Sequence, residues 1–271
     1  MSDRFTPYLF FLLAAVIFMV FGAGLQLLLP VQVALILAEV CCILGFALFM
    51  RHHWAEPTTM KWPTWKKAGG PIWLLFLTFL SGAIFGLCAN LIGGLIVELL
   101  PSLNTQAENY AETLDKMLNP GSLPLKIAAI VSVTMAAPLC EEALFRGFLL
   151  PLQRERENVA LAIMTNGLLF GAIHMNSMGL LSLSLLGMVL AALTVRSKSL
   201  WPAIMCHAGV NTCNGVLVPM AVLATGADPA TSQPPLSELL MGLSIFLVLS
   251  AGSLMLLWKA YGKYGVQPHE S

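Results

Sequence analysis

Apolar residues run along this chain in long unbroken blocks, separated by short clusters of charge, proline and glycine. Eight blocks stand out, at residues 7–29, 31–50, 71–100, 125–150, 159–176, 179–195, 200–222 and 239–258. A helix needs about 20 residues to cross the hydrocarbon of a bilayer. In lipid the backbone must satisfy its own hydrogen bonds, which a helix does within one segment. The pattern therefore predicts an all-α, polytopic transmembrane helix bundle of about eight spans. The first block exceeds the 7–15 residues of a signal-peptide core and is expected to remain as a span. Only one connection, residues 101–124, has a pattern of its own. Thr105 and Glu108 have capping-box spacing, and Tyr110, Leu114 and Met117 or Leu118 recur at helical intervals before Asn119-Pro120-Gly121. A short amphipathic helix on the outer surface is expected there, as interfacial packing or as a lid.

Composition sharpens this picture. Of 271 residues, 58% are apolar and 10% charged, against about 45–50% and about 25% in soluble domains. That excludes a soluble enzyme, a disordered tail and a nucleic-acid binder. Fourteen basic and fourteen acidic residues cancel, so no polyanion is expected as a partner. The chain reads as one integral domain over residues 1–271, with the lipid bilayer as its surroundings. Eleven cations, from Arg4 and Arg51 through Arg196 and Lys198 to Lys259 and Lys263, fall on the side of the N-terminus; only Lys116 and Lys126 fall opposite. The positive-inside rule then places both termini in the cytoplasm, N-in and C-in. Trp54, Trp62, Trp65, Trp73, Trp201 and Trp258 lie beside the same connections, at the headgroup level that indole prefers. The six cysteines all lie in apolar stretches and are expected to pack as small apolar side chains.

Ionisable residues inside spans are costly and mark functional sites by default. Here they are Glu39, Glu141, Glu142, Arg146, His174 and His207. Glu142 and Arg146 are four apart, in the acid-before-base order that favours an ion pair on one helical face. Glu141 is turned about 100° away and is left as an unpaired carboxylate, the kind of group that serves as a general base. Phe170 and His174 are also four apart, so the ring can cover and orient a buried imidazole. His207, Asn211 and Asn214 share one stripe, and the first two can aim donors at one oxygen, as an oxyanion hole requires. The structural reading of each pair is helix-to-helix hydrogen bonding.

Ala137-Pro138-Leu139-Cys140-Glu141-Glu142-Ala143-Leu144-Phe145-Arg146-Gly147 resembles the EExxxR motif of the CPBP family, the CAAX-protease and bacteriocin-processing intramembrane endopeptidases. Phe170 to His174 resembles its FxxxH motif, and His207 to Asn211 its HxxxN/D motif. The ordered trio covers residues 125–215, which would be the catalytic core. The resemblance implies that Glu141 and His174 activate water, that His207 and Asn211 stabilise the oxyanion, and that Glu142 and Arg146, with Phe170, hold the arrangement. It implies a membrane-associated and lipidated peptide substrate, and leaves substrate choice open.

The residue inventory agrees with hydrolysis by Glu and His. There is no HExxH motif, and Asp3, Asp115 and Asp228 lie outside the spans, which disfavours the zincin and intramembrane aspartyl mechanisms. No cofactor is expected. The rival mechanism has a divalent metal such as zinc held by Glu141, His174 and His207, with Glu142 also capable of ligation; Asn211 favours the metal-free form because it is a poor zinc ligand and a good donor. Cys140 and Cys206 stand beside Glu141 and His207, but neighbours on a helix diverge by about 100°, which argues against a thiol nucleophile. Non-proteolytic readings are an inactive immunity or scaffold protein and a proton-coupled transporter using Glu39, Glu141 and the histidines. The compact length suits a bacterial inner-membrane protein. At about 1.5 Å per residue, His174 comes out about 10 Å deeper than Glu141 and His207, unless residues 152–158 extend the fifth span.

Overall fold

The computed structural model describes residues 5–54, 69–225 and 235–264. Arg4, Lys61, Lys66, Lys67, Trp62, Trp65, His269, Asp3 and Asp228 lie outside these, as do the side chains of Trp54, Leu114 and Leu118.

The chain is an all-α integral membrane bundle. Helix α1 is Thr6–Gln26, and α2 runs through Val31–Ala38, a π turn at Glu39–Leu44 and Gly45–Trp54. Helix α3 is Ile72–Leu99 and α4 is Asn104–Leu118. Helix α5, Leu123–Arg154, contains two π turns, Ser132–Ala136 and Phe145–Leu149. Helices α6, Val159–Ile173, and α7, Leu180–Ser197, form a hairpin. Helix α8 runs through Trp201–Thr212, a π turn at Cys213–Leu217 and Val218–Thr225, and α9 is Leu236–Tyr264. Six of these stretches are long and apolar enough to cross a membrane: α1, α2, α3, α5, α7 and α9. The other two expected spans became the 15-residue α6 and the π-interrupted α8, which carries His207, Asn211 and Asn214.

Apolar side chains face both ways. Phe145, Phe148, Phe170, Leu186 and Leu190 form the packed interior, while Leu28, Ile72, Val248 and Leu256 each expose 70% or more of their surface. Water would penalise such a shell, and hydrocarbon does not. Small residues let the backbones touch, as is usual between membrane helices. Helix α3 packs on α8 so closely that a Cβ on Gly82 would strike the Cys206 carbonyl, and one on Gly209 the Phe79 carbonyl. Helices α6 and α7 meet in the same way, with Gly187 against the backbone of Gly167 and the Cβ of Phe170.

Local details add to the sequence reading and in places correct it. Leu103 precedes α4 without a side-chain cap, because a 3-10 turn at Pro101–Leu103 leads directly into the helix and puts Thr105 inside its first turn. Tyr110 is exposed and Met117 half-buried, so α4 lies on the surface. Its ends are fastened: Ser177 Oγ donates to Gln106 Oε1 at 2.5 Å, and Gln32 Nε2 donates to the Met117 carbonyl at 2.9 Å. His52 and His53 lie in the last turn of α2.

A further difference concerns residues 152–158, which do not extend the fifth span. Helix α5 continues to Arg154, the chain turns, and Asn158 caps α6 by accepting from the Leu161 amide at 2.9 Å. Counted from that turn, Glu141 is 13 residues back from Arg154 and His174 is 16 on from Asn158. At about 1.5 Å per residue the two reach levels within about 5 Å of each other. The expected depth mismatch came from ending the fourth span one turn early.

Candidate active site

The EExxxR segment spans the junction between Ala137–Leu144 and the π turn Phe145–Leu149. A π turn inserts a residue into an α-helix and is common at functional sites. Glu142 and Arg146 are both fully buried, and Arg146 Nη1 donates to Glu142 Oε1 at 2.9 Å. Arg146 Nη2 donates to the Gly187 carbonyl at 2.8 Å, tying α5 to α7. The guanidinium also lies over Phe170, 4.6 Å from the ring centroid, a cation–π contact in a dry environment. An unpaired charge here would cost several kcal/mol. The ion pair, the carbonyl and the ring together make the burial tolerable.

Glu142 Oε1 has a second partner, His207 Nδ1 at 3.0 Å. His207 is buried on α8, so the carboxylate joins α5 to α8. An ionised Glu142 can only accept, so Nδ1 carries the hydrogen and Nε2 is the nitrogen left for chemistry.

Glu141 diverges from this cluster as the helical spacing predicts. It is half-buried, and its Oε2 is shielded from solvent without a hydrogen-bond partner. No direct hydrogen bond therefore joins that oxygen to His174. His174 itself is exposed, which corrects the expectation of burial. Helix α6 stops at Ile173 and the next residue, Met175, turns with φ 46°, so the imidazole sits at the helix end. Its Nδ1 donates to the Phe170 carbonyl at 2.7 Å, since a carbonyl cannot donate; again Nε2 is free for chemistry.

Phe170 is the hub between the histidines. Its ring centroid lies 5.0 Å from that of His174 and 5.4 Å from that of His207. The imidazole centres are thus at most about 10 Å apart. Fully buried Phe170 also packs edge-on against Phe145 at 5.2 Å. It orients one imidazole through its carbonyl and ring, and the other through its ring alone.

Asn211 reaches across to α5, as His207 does. Its Nδ2 donates to the Val133 carbonyl at 2.9 Å. Val133 lies in the first π turn of α5, where the α-helical register is interrupted. One N–H of the amide remains for a further acceptor. Asn214 Oδ1 instead accepts from Asn90 Nδ2 at 3.0 Å and links α8 to α3.

The residues proposed for zinc do not gather as a metal site. Among the described residues no three His, Cys, Asp or Glu side chains come together in a way that could hold a metal ion. His207 Nδ1 and His174 Nδ1 are already committed to Glu142 and to Phe170. All six cysteines are free thiols, and Cys140 and Cys206 are buried.

Three participants escaped the sequence reading: the Val133 and Gly187 carbonyls, and Asn166. Asn166 is fully buried and donates to the Phe145 carbonyl at 3.0 Å and to Gln153 Oε1 at 2.9 Å, bracing the π turn that carries Arg146. Its place four residues before Phe170 was the available signal; the two carbonyls left none.

Residues 123–213 match the family described as type II CAAX prenyl endopeptidase Rce1-like. The matched segment is similar to the core of that family. It contains all three motifs, from the π turn at Val133 to Asn211. A protein of Bacillus subtilis (strain 168) named "Putative membrane peptidase YdiL" is 29% identical over 141 residues. That match covers 52% of this chain and 55% of the relative, so the chain spans about half the length of the curated relative it matches. No solved structure matches the chain. Helices α1 to α4, α9 and the part of α8 after Cys213 flank the matched segment.

Proposed function

We propose that the protein is an intramembrane endopeptidase that hydrolyses a peptide bond in a membrane-associated substrate, with a lipidated peptide as the class that the family description favours. The observation that carries this reading is the contrast between two adjacent acids. Each has a shielded Oε2 without a hydrogen-bond partner, but Glu142 is engaged through Oε1 by Arg146 and His207, while Glu141 is engaged by neither. A bundle that used these residues only as glue would pair both acids.

In this reading Glu141 takes a proton from water and His174 Nε2 orients that water. The hydroxide adds to the carbonyl carbon, and the proton passes from Glu141 to the departing amine. The oxyanion forms near His207 Nε2 and the second N–H of Asn211. His207 faces it with Nε2, its Nδ1 being held by Glu142. The donor set of the site does not fit a metal, so no step is routed through one. The cation distribution supports cytoplasmic termini, and we take a bacterial inner membrane as the setting.

The test is cleavage of prenylated and unmodified membrane-anchored peptides by purified full-length protein in lipid nanodiscs. Glu141→Gln and His174→Ala are expected to lose about 10²–10⁴-fold in kcat with unchanged helicity and melting. Full cleavage by both variants would overturn the assignment.

A further inference from the structure

The ends of α7 and α9 carry a basic patch that the protease reading does not use. Arg196 and Lys198 close α7, and Lys259 and Lys263 stand one turn apart near the end of α9; all four are exposed. The two helices pack against each other, and Arg196 fixes the contact. Its Nε donates to the Trp258 carbonyl at 3.1 Å, its guanidinium lies 5.0 Å from the centroid of the Trp258 ring, and a Cβ on Gly262 would strike its Nη2. Trp258 and Gly262 are four apart and share one face of α9, while Lys259 and Lys263 share the next face, turned by about 100°. The start of α3 closes the corner. Gly69 lies against Ser197 and Ser199, Gly70 lies against Tyr261 and Tyr264, and Trp73 packs edge-on against Tyr264 at 6.3 Å.

No acidic residue of these elements balances the patch. Residues 69–80, 193–204 and 255–264 contain neither Asp nor Glu, and among the described residues Arg196, Lys259 and Lys263 form no ion pair. The turn between α5 and α6 is built differently: Arg156 pairs with Glu155 at 3.3 Å, and Glu157 accepts from Tyr8 and Thr165. At Arg196 the Nε bond and the indole hold the guanidinium in place. Its Nη1 and Nη2 make no hydrogen bond among the described residues, so they present a fixed fork. A phosphate takes such a fork through two parallel bonds. Trp73, Trp258 and Tyr264 expose 51%, 43% and 49% of their surface beside it. Indole and phenol rings settle at the headgroup level, which places the fork where lipid phosphates lie.

We infer that this corner binds the phosphate of an anionic phospholipid, with the Arg196 fork as its principal ligand and Lys259 and Lys263 beside it. A zwitterionic headgroup brings its own cation to the phosphate and gains little here. An anionic headgroup arrives with an uncompensated charge, which membrane-proximal lysines and arginines attract. Free phosphate lacks the acyl chains that hold a headgroup at this level, so the lipid is the occupant. The inference does not rest on the protease reading.

A phosphatidylglycerol analogue with a photoreactive headgroup, added to the full chain in phosphatidylcholine nanodiscs, tests it. Peptide mass spectrometry is expected to find the label within residues 193–204 and 255–264. Excess unlabelled phosphatidylglycerol should displace it, and neither added phosphatidylcholine nor inorganic phosphate should do so. Lys259→Gln/Lys263→Gln leaves the Arg196 contacts intact and is expected to weaken labelling by on the order of fivefold per lysine. Arg196→Lys keeps the charge, loses the fork and should weaken it too, whereas Lys116→Gln/Lys126→Gln on the opposite side should change nothing. Should Arg196→Lys not fold, the double lysine variant decides alone. Label spread evenly over the basic connections, displacement by phosphatidylcholine or by inorganic phosphate, or full labelling of Lys259→Gln/Lys263→Gln overturns the inference.

Discussion

Glu142 Oε1 lies 3.0 Å from His207 Nδ1, and the same oxygen receives Arg146 Nη1 at 2.9 Å. One carboxylate oxygen thereby holds α5 to α8, while Arg146 holds α5 to α7 through the Gly187 carbonyl.

Removing one partner of this cluster should therefore cost far more than removing the pair. Arg146→Met leaves Glu142 buried with only a histidine, and the expected loss is about 3–5 kcal/mol. The double variant Glu142→Leu/Arg146→Met should recover part of that loss, because no unpaired charge remains. Unfolding in mixed micelles, followed by circular dichroism, measures the coupling.

Asn211 is expected to act on the rate rather than on substrate binding. Asn211→Leu should lower kcat by about 10²–10³-fold with KM little changed, as loss of an oxyanion donor does. It also leaves the Val133 carbonyl without its side-chain donor, at about 1–3 kcal/mol. Steady-state kinetics together with melting curves separates the two effects.

The helix crossings tolerate no added atoms. Gly209→Val and Gly82→Val each push a side chain into a backbone carbonyl of the facing helix, and both are expected to abolish folded protein. At Gly93 nothing lies within 4 Å of an added Cβ. Gly93→Ala should be neutral, or stabilising by up to about 1 kcal/mol. Yield of monodisperse protein by size-exclusion chromatography reads the difference.

Cleavage should survive removal of divalent metal. Prolonged dialysis against a strong chelator is expected to leave kcat/KM within about twofold, less than 0.5 kcal/mol in the barrier, and added zinc to bring no gain. Loss of activity that zinc restores would return the mechanism to the metal-dependent alternative.

Much of the site was legible because helical spacing is local. The four-residue separations of Glu142 and Arg146, and of Phe170 and His174, predict contacts that the structure contains, and the divergence of Glu141 follows from the same geometry. His174 was misread as buried because a sequence does not reveal that α6 ends one residue earlier. His207 and Asn211 also make contacts that their shared stripe did not predict. Each polar atom found its partner on another helix, at Glu142 and at the Val133 carbonyl.

The sequence by itself determined that the chain is an apolar helical bundle and which few polar residues lie within it, since block length and side-chain transfer cost depend only on composition along the chain. Only the tertiary structure decided that Glu142 rather than Glu141 holds His207, that Phe170 stands between two imidazoles, and that the π turn of α2 packs against the stretch of α5 that carries both acids. Those relations depend on which faces of separate helices touch. Backbone contacts at Gly82, Gly187 and Gly209 set the crossings, and π turns rotate the faces that local periodicity assigns.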